Sequence, residues 1–140
     1  MDLLKGDDME EKLKHLEFIQ GVITRMNSNS FAIKTWMMTI LAAFLAMYAS
    51  HQNAWYLLVA IVPTLVFWFL DAKYLKMERQ YRKLYEAALK NQIAVFDMDA
   101  SKYNECYISV LFSKTILWVY IPIIFGLAAG WLFASGILCL

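Results

Sequence analysis

The side chains best able to do chemistry in this sequence are few and scattered. Two histidines, His15 and His51, and two cysteines, Cys106 and Cys139, are the soft ligands, and their separations match no metal-binding spacing. They are read as structural residues, and no metal, cofactor or catalytic motif is expected. The best-placed charge is Asp71, which ends a run of 36 uncharged residues, 35–70. A carboxylate at the mouth of an apolar segment becomes a switch if a distant cation pairs with it. Arg25 and Lys34 are the candidates, and the alternative is a boundary residue hydrated in the headgroup layer. Lys76, Arg79 and Lys83 follow on one helical face, where each cation near a membrane surface contributes about 1 kcal/mol toward anionic headgroups. The same stripe serves equally as a topology signal. Gly126, Gly130 and Ala134 recur every four residues, and small residues on one face let helix backbones approach closely. Either copies of the chain associate there or the face packs on the chain's own spans, where Ala42 and Ala46 offer a similar groove.

The elements that must carry these residues follow from composition. In 140 residues, 61% hydrophobic and 16% aromatic content exceeds what a soluble fold of this size carries. Every Asp, Glu, Lys and Arg lies in residues 1–34 or 71–114, and the last 26 residues carry none. As one helix, the uncharged run 35–70 would be about 54 Å long, nearly twice a hydrocarbon core of about 30 Å. Ser50, His51, Gln52 and Asn53 split it, as the turn of a helical hairpin would. The pattern predicts spans near residues 31–49 and 54–70 and a third after a boundary near Ser113 and Lys114. The expected fold is all-α: an amphipathic helix over 1–30, a transmembrane hairpin over 31–70, a basic helix and loop over 71–112 and a third transmembrane helix over 113–140.

Eight of the 13 basic residues lie between the second and third spans and none in the hairpin turn. The positive-inside bias therefore predicts cytoplasmic placement of 71–114 and of the N-terminus, with the C-terminus outside. Arg25 and Lys34, before the first span, agree. Cys106 and Cys139 are then on opposite sides of the bilayer, so no internal disulfide is expected. The first 30 residues begin acidic and mix charges throughout, unlike a cleaved signal peptide. A formal net charge of +1 argues against nucleic acid as the main partner.

Leu13, Leu16, Ile19, Ile23 and Met26 recur at helical spacing before the first span, and Asn27 to Ser30 read as a polar joint able to kink the chain and cap that span. No helix breaker separates residues 68–88, so the second span should run on into the aqueous layer. Its stripe Leu70, Tyr74, Met77, Tyr81, Leu84 and Ala88 is expected to bury against the N-terminal helix. Residues 95–101 read as a loop, with a helix starting after Asp97 or Asp99. Pro63 and Pro122 predict kinks, and Trp36, Trp55, Trp68, Trp118, Tyr48, Tyr56 and Tyr120 an interfacial aromatic belt. No ionisable residue lies deep in a span, which disfavours a coupled transporter and leaves room for a wide oligomeric pore or one gated by an apolar constriction. A membrane-embedded enzyme would need a polar cluster inside the bilayer, and none is found.

Residues 18–31 (FIQGVITRMNSNSF) and 67–75 (FWFLDAKYL) with 78–85 (ERQYRKLY) resemble small bacterial multi-span membrane proteins, over about residues 16–86. In layout, a hairpin flanked by cytoplasmic helices is similar to the SLATT-type transmembrane effectors of antiphage systems. That resemblance implies a homo-oligomeric inner-membrane protein that forms a pore or disrupts the membrane, with lipids, further copies and a cytoplasmic sensor as partners and no cofactor. The alternative expectation is a non-catalytic anchor that recruits a cytoplasmic partner.

Overall fold

The structure is a computed structural model that describes residues 2–137; Cys139 and the expected end of the third span lie outside that range. The described residues are helical with no strand, and three helices are long and apolar enough to cross a membrane.

The first pass is one helix, α1 (Asp2–His51), about 75 Å long at 1.5 Å per residue. It contains no proline, and it runs through Asn27 to Ser30 without the expected joint. The reason is visible at Ser30. Its hydroxyl is spent sideways on Asp71 of a neighbouring helix, so it is not free to cap a new helix start. Thr24, Thr35 and Thr39 likewise bond the carbonyls four residues back and stay within the helix. A tight turn follows as expected: Gln52 takes a left-handed conformation (φ 52°), and the Asn53 side chain accepts from the Trp55 amide at 3.0 Å.

The return pass is α2 (Trp55–Val59) and α3 (Ile61–Leu89), interrupted at Ala60. Pro63 has no N–H for the Val59 carbonyl four residues back, so the ladder loosens there. The Thr64 amide reaches the Ala60 carbonyl only at 3.5 Å, and the Thr64 hydroxyl covers it at 2.9 Å. From there α3 is unbroken for 29 residues, as the absence of a breaker predicts. It ends in a Schellman motif: Asn91 is left-handed, and the amides of Asn91 and Gln92 bond the carbonyls of Ala88 and Ala87. A 3-10 turn (Ala100–Lys102) starts after Asp99, which accepts from the Ser101 amide. Then come a short α4 (Tyr107–Leu111) and α5 (Lys114–Ala134). Helix α5 passes through Pro122 unbroken and closes at Gly136 (φ 73°), so the described third span is shorter than 113–140.

Helices α1 and α3 are antiparallel partners, and α5 packs chiefly on α2 and α3. Ile19 and Ile23 of α1 meet Leu84 and Ala88 of α3 at the polar end, the pairing the amphipathic stripes predict. The rest of the α3 stripe shifts. Leu70 is exposed, and the buried line runs through Asp71, Ala72 and Glu78 instead. Burying a carboxylate is costly unless it is paired, so the rotation of α3 follows its partners for Asp71 and Glu78 more than its apolar residues. Among the expected belt aromatics, Trp36, Trp55 and Trp118 are exposed. Tyr120 departs from that expectation. It is fully buried, and Trp68 stacks on it at 6.1 Å with an interplanar angle of 11°. Within the apolar windows of the three long helices only 11%, 28% and 17% is covered by the chain itself, which leaves most span surface for lipid or other copies.

Candidate functional site

The polar groups gather at the plane where charges resume along α1 and α3. Asp71 is 1% exposed, and about five to six helix turns of α1 away from the hairpin a lysine and a serine face it. Lys34 Nζ is 2.8 Å from Asp71 Oδ1 and 2.7 Å from Oδ2, and it also donates to Ser30 Oγ at 2.8 Å. Ser30 donates to Oδ1. Oδ2 is buried, with the ammonium charge beside it but no hydrogen-bond donor aligned on it. Of the two cations the sequence proposes for Asp71, the structure selects Lys34. Arg25 is exposed and makes no ion pair among the described residues. The hydrated-boundary alternative fails on burial.

About two turns further along α3 lies a second buried carboxylate, Glu78, bonded by Arg82 Nε at 2.9 Å and Nη2 at 2.6 Å. Between the two carboxylates opens a chamber of about 380 Å³. Asn27, Ser30 and Lys34 line it from α1, and Asp71, Glu78, Arg79 and Arg82 from α3, with Leu75 and Ile116 as apolar floor. Thr115, in the first turn of α5, closes the remaining side. The α5 N-cap residue Ser113 makes no side-chain capping bond, and its buried hydroxyl has no hydrogen-bond partner among the described residues. The positive end of α5 thus reaches the chamber wall uncapped. Arg79 makes no hydrogen bond or ion pair among the described residues.

The expected basic stripe is only partly free. Lys83 pairs with Glu105, and hydrogen bonding from that ammonium, helped by the charges of Arg79 and Lys76, holds the Glu105 carboxyl below its usual range. The loop after α3 is clasped in the same way. Lys102 bonds Asp97 at 2.9 Å and the Asp99 amide bonds the same carboxyl at 3.0 Å, both favouring its charged form. The buried His15 fixes the loop from the α1 side through Nε2 and the Asp97 carbonyl, 3.0 Å apart. This is a structural role, as its isolation in sequence predicts. Tyr107 donates to the Phe69 carbonyl at 2.7 Å, and Trp68 Nε1 to the Leu111 carbonyl at 3.1 Å, tying α4 to α3.

The small-residue face of α5 divides. Gly130 faces Leu57 of the same chain, where an added Cβ would sit 3.5 Å from Leu57 Cδ1, while Gly126 is open and Ala134 exposed. Ala42 and Ala46 are exposed too, so their groove is not filled by the chain's own α5. Gly21 also faces open space.

Sequence reasoning found Asp71, Lys34 and Arg79 but missed Asn27, Glu78, Arg82 and Thr115 as parts of one site. The signal for Glu78 was available. It and Arg82 are four residues apart on the Asp71 face of a helix expected to pack on α1. Chemically the chamber can hold charge: it presents cations, hydrogen-bonding groups and a helix N-terminus. No group of three His, Cys, Asp or Glu side chains with metal-ligating geometry occurs among the described residues. No family model matches the chain, and no curated protein or solved structure matches it.

Proposed function

We propose that this chain is a homo-oligomerising subunit of a bacterial inner-membrane assembly in which a cytoplasmic helical layer gates a path across the bilayer, as a pore-forming defence effector would. The observation that carries the reading is the continuity of α1 and α3 across the charge boundary, with Lys34, Asp71 and Ser30 locking the two helices at that plane. A displacement of the outer helix ends has no hinge in which to dissipate before it reaches the spans. The uncovered span surface, widest on α1, and the open Gly126 supply faces for further copies. The charge asymmetry sets the orientation, with the clasped loop and both outer helices in the cytoplasm.

The purified chain in lipid nanodiscs is expected to have a protein mass of about four or more copies, the fewest that enclose a path lined by single helices by our reckoning. Discrete assemblies of that size justify solute-release assays on vesicles. A monomer or dimer contradicts the gate. It would favour a second reading, an anchor for a cytoplasmic partner, which has its own observation: Leu13, Phe18 and Phe96 are exposed at the polar end, with the Phe18 and Phe96 rings 6.4 Å apart.

A further inference from the structure

The chamber has an internal charge balance that selects a ligand. It is lined by three cations, Lys34, Arg79 and Arg82, and two carboxylates, Asp71 and Glu78. Lys34 is matched to Asp71 and Arg82 to Glu78, which leaves Arg79 as the lining cation with no ion pair among the described residues; its charge acts only at a distance, on Glu105 outside the chamber. The uncapped first turn of α5 adds partial positive charge on the Thr115 side. A single negative charge is what completes this wall. A phosphodiester carries one negative charge, whereas a phosphomonoester near neutral pH carries close to two.

The anion must fit in about 380 Å³ at the charge boundary of a membrane helix bundle. Beside Thr115 the same face of α5 continues at three- and four-residue spacing to Trp118 and Pro122, which with Leu117 and Ile121 line an apolar groove.

We propose that the chamber binds a glycerophospholipid headgroup, its phosphodiester on Arg79 and the α5 N-terminus and its acyl chain along the Trp118 groove. The site requires the chain to lie in a bilayer. It does not require that the chain assemble or conduct, so its failure and that of the gate are separate. A bound headgroup bridges α3 and α5 in the chamber walled by α1, at the plane of the Lys34–Asp71 lock, and so acts as a third strut between the outer helices and the spans.

The test is thermal unfolding of the full chain, purified in detergent and stripped of lipid, titrated with short-chain dioctanoyl lipids. Dioctanoyl-phosphatidylethanolamine and dioctanoyl-phosphatidylglycerol are expected to stabilise it saturably. Arg79→Gln, which removes no hydrogen bond or ion pair seen among the described residues, should weaken binding about tenfold or more, the loss of one charge-assisted contact. Arg79→Lys should recover most of that, and Lys73→Gln, an exposed cation outside the chamber, should change nothing. Binding of Arg79→Gln equal to wild type overturns the site. Inorganic phosphate or chain-free glycerophosphoethanolamine matching the lipids overturns the lipid as ligand in favour of a soluble phosphate.

Discussion

On the polar side of Asp71 the two long helices are stitched to each other and to a returning loop; on the other side the same helices meet through apolar side chains and leave most of their surface open. The polar half has a buried Ile19, Ile23, Leu84 and Ala88 core, the His15 contact to the loop and the Lys102–Asp97 and Lys83–Glu105 pairs. The apolar half has Leu57, Ala60 and Leu127 as its buried centre, with Trp118, Phe125 and Phe133 facing outward. The polar half is cross-tied within one chain, and the apolar half leaves most of its surface uncovered by the chain itself. The Lys34–Asp71–Ser30 group sits where the two regimes join.

The contrast can be broken first at that joint. Lys34→Met leaves a buried carboxylate with only a serine as partner and is expected to cost about 3 kcal/mol or more. Asp71→Leu should cost less, because Lys34 is 28% exposed and can extend its ammonium to water. The double variant should recover most of the loss, since replacing both partners by apolar groups removes the desolvation penalty. Thermal loss of helical ellipticity in detergent measures all three; additive losses would mean that the pair does not couple the helices.

A smaller effect separates the two halves. Ile19→Ala, at a fully buried position, is expected to destabilise by about 2–4 kcal/mol. Trp118→Ala, 80% exposed in the single chain, should stay within about 0.5 kcal/mol in detergent. A large loss at Trp118 under conditions that keep the chain monomeric would show the span to be closed in a way the contrast denies.

The mildest perturbation is acid. Asp97 is held below its usual range by the Lys102 hydrogen bond and then the Asp99 amide, Asp99 by the Ser101 side chain and amide, and Glu105 by Lys83. Because these folded values are depressed, their stabilisation is complete above the ordinary values of 3.8 for Asp and 4.5 for Glu and is lost as pH falls through the lower folded values. Amide exchange over residues 97–105, corrected for intrinsic rate, should rise between about pH 5 and about pH 3 while α5 stays protected. Equal exposure of α5 would mean that the clasp holds the spans as well as the loop.

Much of this division is readable in the residues themselves. Charge-free runs mark the three spans, the Ser50–Asn53 cluster the turn, and the unbroken 68–88 stretch the exit of α3. Two backbone details are harder. Asn27 to Ser30 looks like a joint because its side chains cap helices well, and only a partner 41 residues away explains why Ser30 does not. Pro63 points to a kink, but the placement of the break at Ala60 depends on how Thr64 re-covers the carbonyl. The chamber was legible only in part. Asp71 stands out against an uncharged run, whereas Glu78 is one charge among many until α3 is rotated against α1. Tyr120 reads as an interfacial aromatic because nothing local announces that Trp68 stacks over it.

The central claim, that copies of the chain complete the open face of the spans, is tested most directly by oxidative cross-linking in native membranes. The background carries Cys106→Ser and Cys139→Ser, and Gly126→Cys or Gly130→Cys supplies the single thiol. The account expects covalent dimers from Gly126→Cys, which faces open space, and few from Gly130→Cys, which Leu57 of the same chain covers. Absence of cross-links from Gly126→Cys, or equal yields from both positions, would contradict it.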